Sequence, residues 1–298
     1  MNLPQLVKSA ATKTNFTSIE QYIDFCKEYL EFIADGLQAT IVSQNENNYC
    51  FFQYRQEGYY NITRPINTRL MYSAQEQANL DDFIRILANI RDIDAKDVAR
   101  RNVIQRAIYT IQQSIGAALD GLPSGESNTA RKVNGDLFER FIQLLIGKVG
   151  ISCKTGTMQV PVYVGGEFQF NMSYQHDLLL YNEDTLKVIG SVKTSSKDRI
   201  DKIFLDKFLY SKLTETALPH IAIFLNDVQR KKTKYENQYG INSTFLSGHF
   251  KAFSVKLNPL DGVYYCDIRP IMQQDEVLKK HIKTIDHFFC LDIWNFLN

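Results

Sequence analysis

No two cysteines in this chain are spaced Cys-x-x-Cys. The five present (Cys26, Cys50, Cys153, Cys266 and Cys290) are scattered and odd in number. That argues against a zinc ribbon or a disulfide framework and points to reduced thiols. The five histidines (His176, His220, His249, His281 and His287) show no metal-ligand spacing. No apolar run reaches about 18 residues, so no membrane-spanning helix is expected. The first residues, Met-Asn-Leu-Pro-Gln-Leu-Val-Lys, lack the charged-then-apolar layout of a secretory signal, and a cytoplasmic location is expected. Internal repeats and low-complexity tracts are absent. Charge is nearly balanced, at +1. That neither demands nor excludes a nucleic-acid partner, because basic residues can be gathered in a cleft with acids elsewhere.

What is present is the material of a folded protein. Apolar residues make up 44% and aromatic residues 12% of 298 positions, enough for one large core or two smaller ones. The first third reads as mainly helical. Thr17 and Ser18 cap a helix whose apolar positions (Ile19, Tyr22, Ile23, Cys26, Tyr29, Leu30 and Ile33) recur every three or four residues. Alternating residues between about 38 and 68 predict short strands around an Asn-Glu-Asn-Asn turn. A long helix follows, from about 94 to 119. The turn-rich stretch 121–129 predicts a boundary, so that 1–120 forms a mainly helical N-terminal region and 121–298 the second unit.

Beyond it the pattern changes. A helix is predicted over 134–148, then strands near 158–164, 168–174, 176–181 and 186–192, with a tight turn at Glu183 and Asp184. A helix is predicted over 197–213 and a central strand over 221–225, with further strands near 250–257 and 264–268. The expected fold class is α/β, a mixed sheet core flanked by helices.

The stretch Ser191-Val-Lys-Thr-Ser-Ser-Lys-Asp-Arg-Ile200 carries most of the functional signal. It puts Lys193 at a strand end and Lys197, Asp198 and Arg199 at the start of a helix. Asp177 lies on the preceding strand. Phosphodiester hydrolysis needs an activated water, an oriented phosphate and stabilisation of the leaving oxygen, which Mg²⁺ held by carboxylates can supply. Asp177 and Lys193 face one another if their strands are neighbours. The acid usually found two residues before such a lysine is replaced by Ser191. At 100° per residue, Arg199, Ile203, Asp206 and Tyr210 share one stripe of the following helix, with Ile200, Phe204 and Phe208 toward the core. A carboxylate at Asp206 can point back toward Lys193. Glu139 edges the apolar face of its own helix and can reach the same cluster.

These residues resemble the branch of type II restriction endonucleases, within the PD-(D/E)xK superfamily, that reads CCGG, CCNGG or CCWGG cores. Members of that branch replace the second acid by a small residue and recruit a carboxylate from the next helix. In CCNGG-type members it lies thirteen residues after the lysine, the separation of Asp206 from Lys193 here. Lys197, Asp198 and Arg199 occupy the place of the cluster that reads C·G pairs, and the Gly135-Asp-Leu-Phe-Glu139 segment resembles the helix that supplies the upstream glutamate. His176 stands where the superfamily name has proline. The resemblance spans roughly 134–210.

The resemblance implies a restriction-endonuclease-like fold and a bacterial cytoplasmic enzyme. That enzyme would cleave double-stranded DNA at a palindromic CC(N/W)GG-like core, leaving 5′-phosphate ends. It implies Asp177, Asp206 and Glu139 as Mg²⁺ ligands, Lys193 as the water-orienting or phosphate-contacting group, and Lys197, Asp198 and Arg199 as base readers. Arginine can present two donors to guanine, and aspartate can accept from cytosine. A palindrome matches a homodimer, with a tetramer also open.

Each feature has a plainer reading. Asp206 can simply pair with Lys202 four residues back. Ser195 and Ser196 can cap the helix, or meet phosphate through the backbone N–H groups there. The basic clusters Arg100–Arg101, Arg131–Lys132 and Arg230–Lys232 can be solvated surface. Residues 44–69, with Arg55 among them, offer side chains for outer base pairs. A structure-selective nuclease of the same superfamily, or a DNA-binding module without catalysis, fits the same residues less completely.

Overall fold

A computed structural model describes residues 1–298 apart from 57, 58 and 198. Helices α1 (Leu3–Ala11) and α2 (Ile19–Asp35) open the chain, each begun by a capping box, Asn2 with Gln5 and Ser18 with Gln21. An antiparallel sheet follows: β1 (Leu37–Val42), β2 (Tyr49–Gln56), β3 (Tyr59–Ile62) and β4 (Ile66–Asn67), with β2 central. Then come α3 (Ala78–Ala88), α4 (Val98–Leu119) and α5 (Ser127–Lys148).

The second sheet begins with two long strands, β5 (Ser152–Val164) and β6 (Glu167–Asn182), and continues with β7 (Thr185–Ser195), helix α6 (Ile200–Thr214) and β8 (His220–Asn226). A separate hairpin, β9 (Val228–Lys232) and β10 (Tyr239–Ser243), precedes α7 (Ser247–Ala252), β11 (Gly262–Tyr265) and β12 (Ile282–Thr284). The sheet has six strands in the order β12-β11-β8-β7-β6-β5. β12, β11, β8 and β7 run parallel to one another, and β6 and β5 are antiparallel additions. The α/β class with a mixed sheet is therefore observed. The β7–α6–β8 unit is a parallel crossover, and β8 is buried at every residue, as a central parallel strand must be.

The core is shared between the two halves of the chain. One buried cluster runs from Leu3 and Tyr22 through Phe141, Leu180 and Ile223 to Ile293. Beside it, Tyr49 and Asn67 of the first sheet donate to the buried Asp267 beyond β11, at 2.9 and 2.8 Å. Arg64 grips Asp120 at the end of α4 with two side-chain bonds of 2.9 Å. It passes so close to Gly116 that a Cβ there would lie 2.3 Å from the guanidinium. The β9–β10 hairpin packs on the first sheet through Val228 and Ile241 against Tyr49 and Phe51. Asn45 brackets the Ile241 backbone with two 2.9 Å bonds.

Several expectations need correction. The three strands predicted over 158–181 are two longer ones, because the alternation continues unbroken through Gln175. The strand predicted over 250–257 is helical: α7 runs on into a wider helical turn over Phe253–Leu257. Phe250, Phe253 and Leu257 are three and four residues apart, a helical spacing that brings them onto one cluster with Phe204. On α6 the buried face is Ile200, Ile203, Phe204, Lys207 and Tyr210, whereas Phe208 is half-buried. Lys207 enters the core because Asp261 and the Pro259 carbonyl receive its ammonium, at 2.7 and 2.6 Å.

Candidate active site

The hairpin between β6 and β7 turns at Glu183 and Asp184, with Glu183 in the left-handed region (φ 53°). Its two strands pair from Asn182 with Thr185 as far as Leu178 with Gly190, and then part. Asp177 is the first residue beyond that pairing. Its Oδ2 accepts the Val192 N–H at 2.8 Å, taking the place of a ladder bond. The same oxygen receives the Lys193 ammonium, so strand splaying and the acid–lysine pair are one local event. Gln143 of α5 donates to the Asp177 carbonyl at 3.1 Å. One turn earlier on α5, Glu139 accepts from Lys193 at 2.9 Å. Asp177, Lys193 and Glu139, from two strands and a helix, thus meet.

Lys193 therefore stands between two carboxylates. Its side chain and that of Glu139 are about 30% exposed, Asp177's only 14%. Burial works against the Lys193 charge, but Asp177 and Glu139 outweigh it, and its pKa ends above the ordinary value. Glu139 is raised, first by burial and then by the neighbouring charge of Asp177. The site holds more negative charge than one ammonium offsets. Two hard oxygen donors with an excess of negative charge suit Mg²⁺, which takes one or two protein carboxylates and completes its shell with water and phosphate oxygens.

Asp206 sits differently. Its carboxylate receives Lys202 at 2.6 Å, one turn back on α6. Its charge is felt by Tyr174 and by His176, which also feels Asp177. His176 itself is buried against the Tyr174 ring, and burial lowers its pKa. Among the described residues, no group of three or more His, Cys, Asp or Glu side chains is close enough to hold a metal ion. The pair Asp177–Glu139 is brought together; Asp206 is not joined to it.

Glu139 and Lys193 lie at the wall of a cleft of about 1050 Å³. Its other walls come from distant parts of the chain: Asn61 and Arg64, Arg131 and Lys132 of α5, Ser195 at the end of β7 with Lys197 and Arg199 beyond it, and Gln229, Arg230 and Lys232 of β9. Lys197 reaches across to Gln229 at 3.3 Å. The Arg199 guanidinium is exposed and has no bonding partner among the described residues. Asp198 falls outside the described residues. Ser195 and Ser196 do not cap α6, whose N-cap is Arg199 without a side-chain bond. Both hydroxyls lie against Thr244 instead, at 3.3 and 3.4 Å. Arg55 bonds Gln38 at 2.8 Å and does not line the cleft, whereas Arg64 from the same segment does. The runs Arg131–Lys132 and Arg230–Lys232 were visible in the sequence. Nothing there showed that they share a cleft with Lys193.

No known family profile and no curated protein sequence matches the chain. Among solved structures, the crystal structure of the type IIP restriction endonuclease Kpn2I superposes with a TM-score of 0.67. The match covers 99% of this chain and 97% of that one, at 16% identity. A complex of the restriction endonuclease PspGI with substrate DNA covers 74% of this chain and 92% of that one. Its TM-score is 0.43 at 13% identity, too loose a likeness to align residues. The fold is that of a restriction endonuclease over essentially the whole length.

Proposed function

We propose that this chain is a Mg²⁺-dependent type II restriction endonuclease. It would hydrolyse double-stranded DNA at a palindromic site with a CC(N/W)GG-like core and leave 5′-phosphate ends. The observation that carries the reading is the meeting of Asp177, Lys193 and Glu139, the last two on the wall of a cleft whose other sides bring in Arg64, Arg131, Lys132, Lys197, Arg199, Arg230 and Lys232. The whole-length likeness to Kpn2I supports it.

Asp177 and Glu139 would hold the ion, with Asp206 proposed as a completing ligand once released from Lys202. When bound, Mg²⁺ would polarise the phosphate and acidify a water. The chain's own part is positioning. Asp177 is fixed by the Val192 N–H, so its carboxylate is aimed before any substrate arrives. Lys193 bridges the two acids and presents an ammonium to a phosphate oxygen or to the attacking water. The basic walls gather the duplex by neutralising phosphates, a contribution that carries no sequence information. Sequence reading is assigned to Lys197, Asp198 and Arg199, with Ser195 and Ser196 beside them, since they follow the metal-binding strand without a break. Recognition and cleavage are then coupled through one segment.

Two copies on a palindrome make a homodimer the working unit. Digestion of DNA of known sequence with Mg²⁺ tests the reading: discrete bands at a C·G-rich palindrome are expected. A smear, nicks at junctions, or no cutting of any DNA would point to a structure-selective nuclease or to a binding module.

A further inference from the structure

Strands β5 and β6 outrun the sheet they belong to. β6 pairs with β7 only from Leu178 onward, while its pairing with β5 extends from Gly156 and His176 out to Val164 and Glu167. Residues 157–175 therefore form a two-stranded ribbon standing beyond the sheet. Such a ribbon is marginal in water unless something packs on it. Cross-strand pairs put Met158 with Tyr174, Val160 with Met172 and Val162 with Phe170, at alternate positions and hence on one face. The inner part of that stripe is covered: Val160 and Tyr174 pack with Tyr210 of α6. The outer part is bare. Phe170 is 56% exposed, and at the tip Tyr163, Val164 and Phe168 are 58, 66 and 55% exposed. Tyr163 and Phe168 only meet each other, edge to face at 5.9 Å. On α6, the helix that covers the inner stripe, Leu205 and Leu209 are also exposed, one turn apart.

Charge narrows the occupant. From Thr155 to Gln175 the only side chain charged at neutral pH is Glu167. An arm that touched a DNA backbone or an anionic bilayer would carry lysine or arginine, and this one has neither. An uncharged apolar surface is complementary to itself, the requirement of a two-fold contact in which both partners offer the same patch. Three half-exposed rings supply about 300 Å². Val164 brings the total to the order of 400 Å². That is the apolar share of a standard interface of roughly 800 Å² per partner.

We propose that the ribbon 157–175 is a dimerisation arm, its bare outer half covered by the same arm of a second copy of this chain. The proposal rests on the two-copy reading above for its choice of partner, and adds the surface through which the copies meet.

Sedimentation without DNA at about 10 µM, above the micromolar-to-picomolar Kd range of standard-size interfaces, gives the mass. The wild type is expected at twice the chain mass, and a Phe168→Glu, Phe170→Glu double variant at half that value. Both side chains are exposed, so its circular dichroism is expected to match the wild type, with Tm lowered only by the lost association. Should the double variant unfold, Phe170→Ser is measured in its place, with the same fall in mass expected. A folded variant that keeps the wild-type mass overturns the arm and leaves the two-copy reading standing. A monomeric wild type overturns the arm, and one that also binds a palindromic duplex as a single copy overturns the two-copy reading. Neither result bears on the nuclease assignment, which is read separately by DNA cutting. A Lys193→Ala variant is expected to stop cutting and leave the mass unchanged.

Discussion

At Lys193, one ammonium serves two acids, and the balance of charge at that point sets what each residue is worth. Asp177→Asn keeps the shape and the acceptor for Val192 but removes the charge. Cleavage is expected to fall by about a hundred- to a thousandfold, the usual cost of losing one electrostatic contributor to a transition state, while far-UV circular dichroism stays unchanged. Replacing Lys193 by methionine leaves Asp177 and Glu139 facing each other without a cation. The variant is expected to melt below the wild type in EDTA and to gain more in Tm than the wild type when Mg²⁺ is added, because an ion that binds only the folded state stabilises it. Equal Mg²⁺ responses would count against a cation site at these acids. Asp206→Ala is the companion test: cutting at the wild-type rate would remove Asp206 from the ligand set.

At the scale of elements, the β6–β7 hairpin does most of the positioning. Its parts were legible because they rest on local rules: a turn signal at Glu183 and Asp184, apolar alternation on both sides, and a lysine where the second strand ends. Glu139 was legible for a similar reason, since helical spacing placed it beside the apolar face of α5. Asp206 shows where such reasoning stops. Periodicity put it on the stripe of α6 that carries Ile203 and Tyr210, but it could not choose between a distant cation and Lys202 one turn away. The segment 250–257 was misread because Phe250, Phe253 and Leu257 permit a helix as readily as a strand when burial is unknown. Arg199, exposed at the start of α6, is the element-scale test of recognition. Arg199→Ala is expected to cost about 1–3 kcal/mol of base discrimination, seen as new cleavage at sites with one changed C·G pair. Unchanged fidelity would move base reading elsewhere in the cleft.

Across the whole molecule, two sheets are tied by buried polar contacts, and Asp267 is their centre. Burial pushes its carboxyl up from 3.8 to about 7, although bonds from Asn67 and Tyr49 pull the other way. The folded chain thus holds a proton between pH 3.8 and about 7 that the unfolded chain has released. Stability is therefore expected to fall as pH rises through that window, by about 1.4 kcal/mol per unit from this group. Thermal melts of the wild type and of Asp267→Asn check this, since the variant is expected to lose that slope. The cleft is the feature that the sequence hid most completely. Its walls come from residues near 61–65, 131–139, 193–199 and 229–232, brought together only by long-range packing. Balanced net charge concealed a local concentration of basic groups.

A divalent cation held by Asp177 and Glu139 is proposed to cut DNA at one sequence, and mapping the ends produced from a DNA of known sequence, with Mg²⁺ and with EDTA, checks this. Discrete 5′-phosphate ends within a single C·G-rich palindrome, formed only with Mg²⁺ and lost in Asp177→Asn, are the predicted result. Cutting that persists in EDTA, or that is unchanged in Asp177→Asn, would rule out a catalytic cation at these acids.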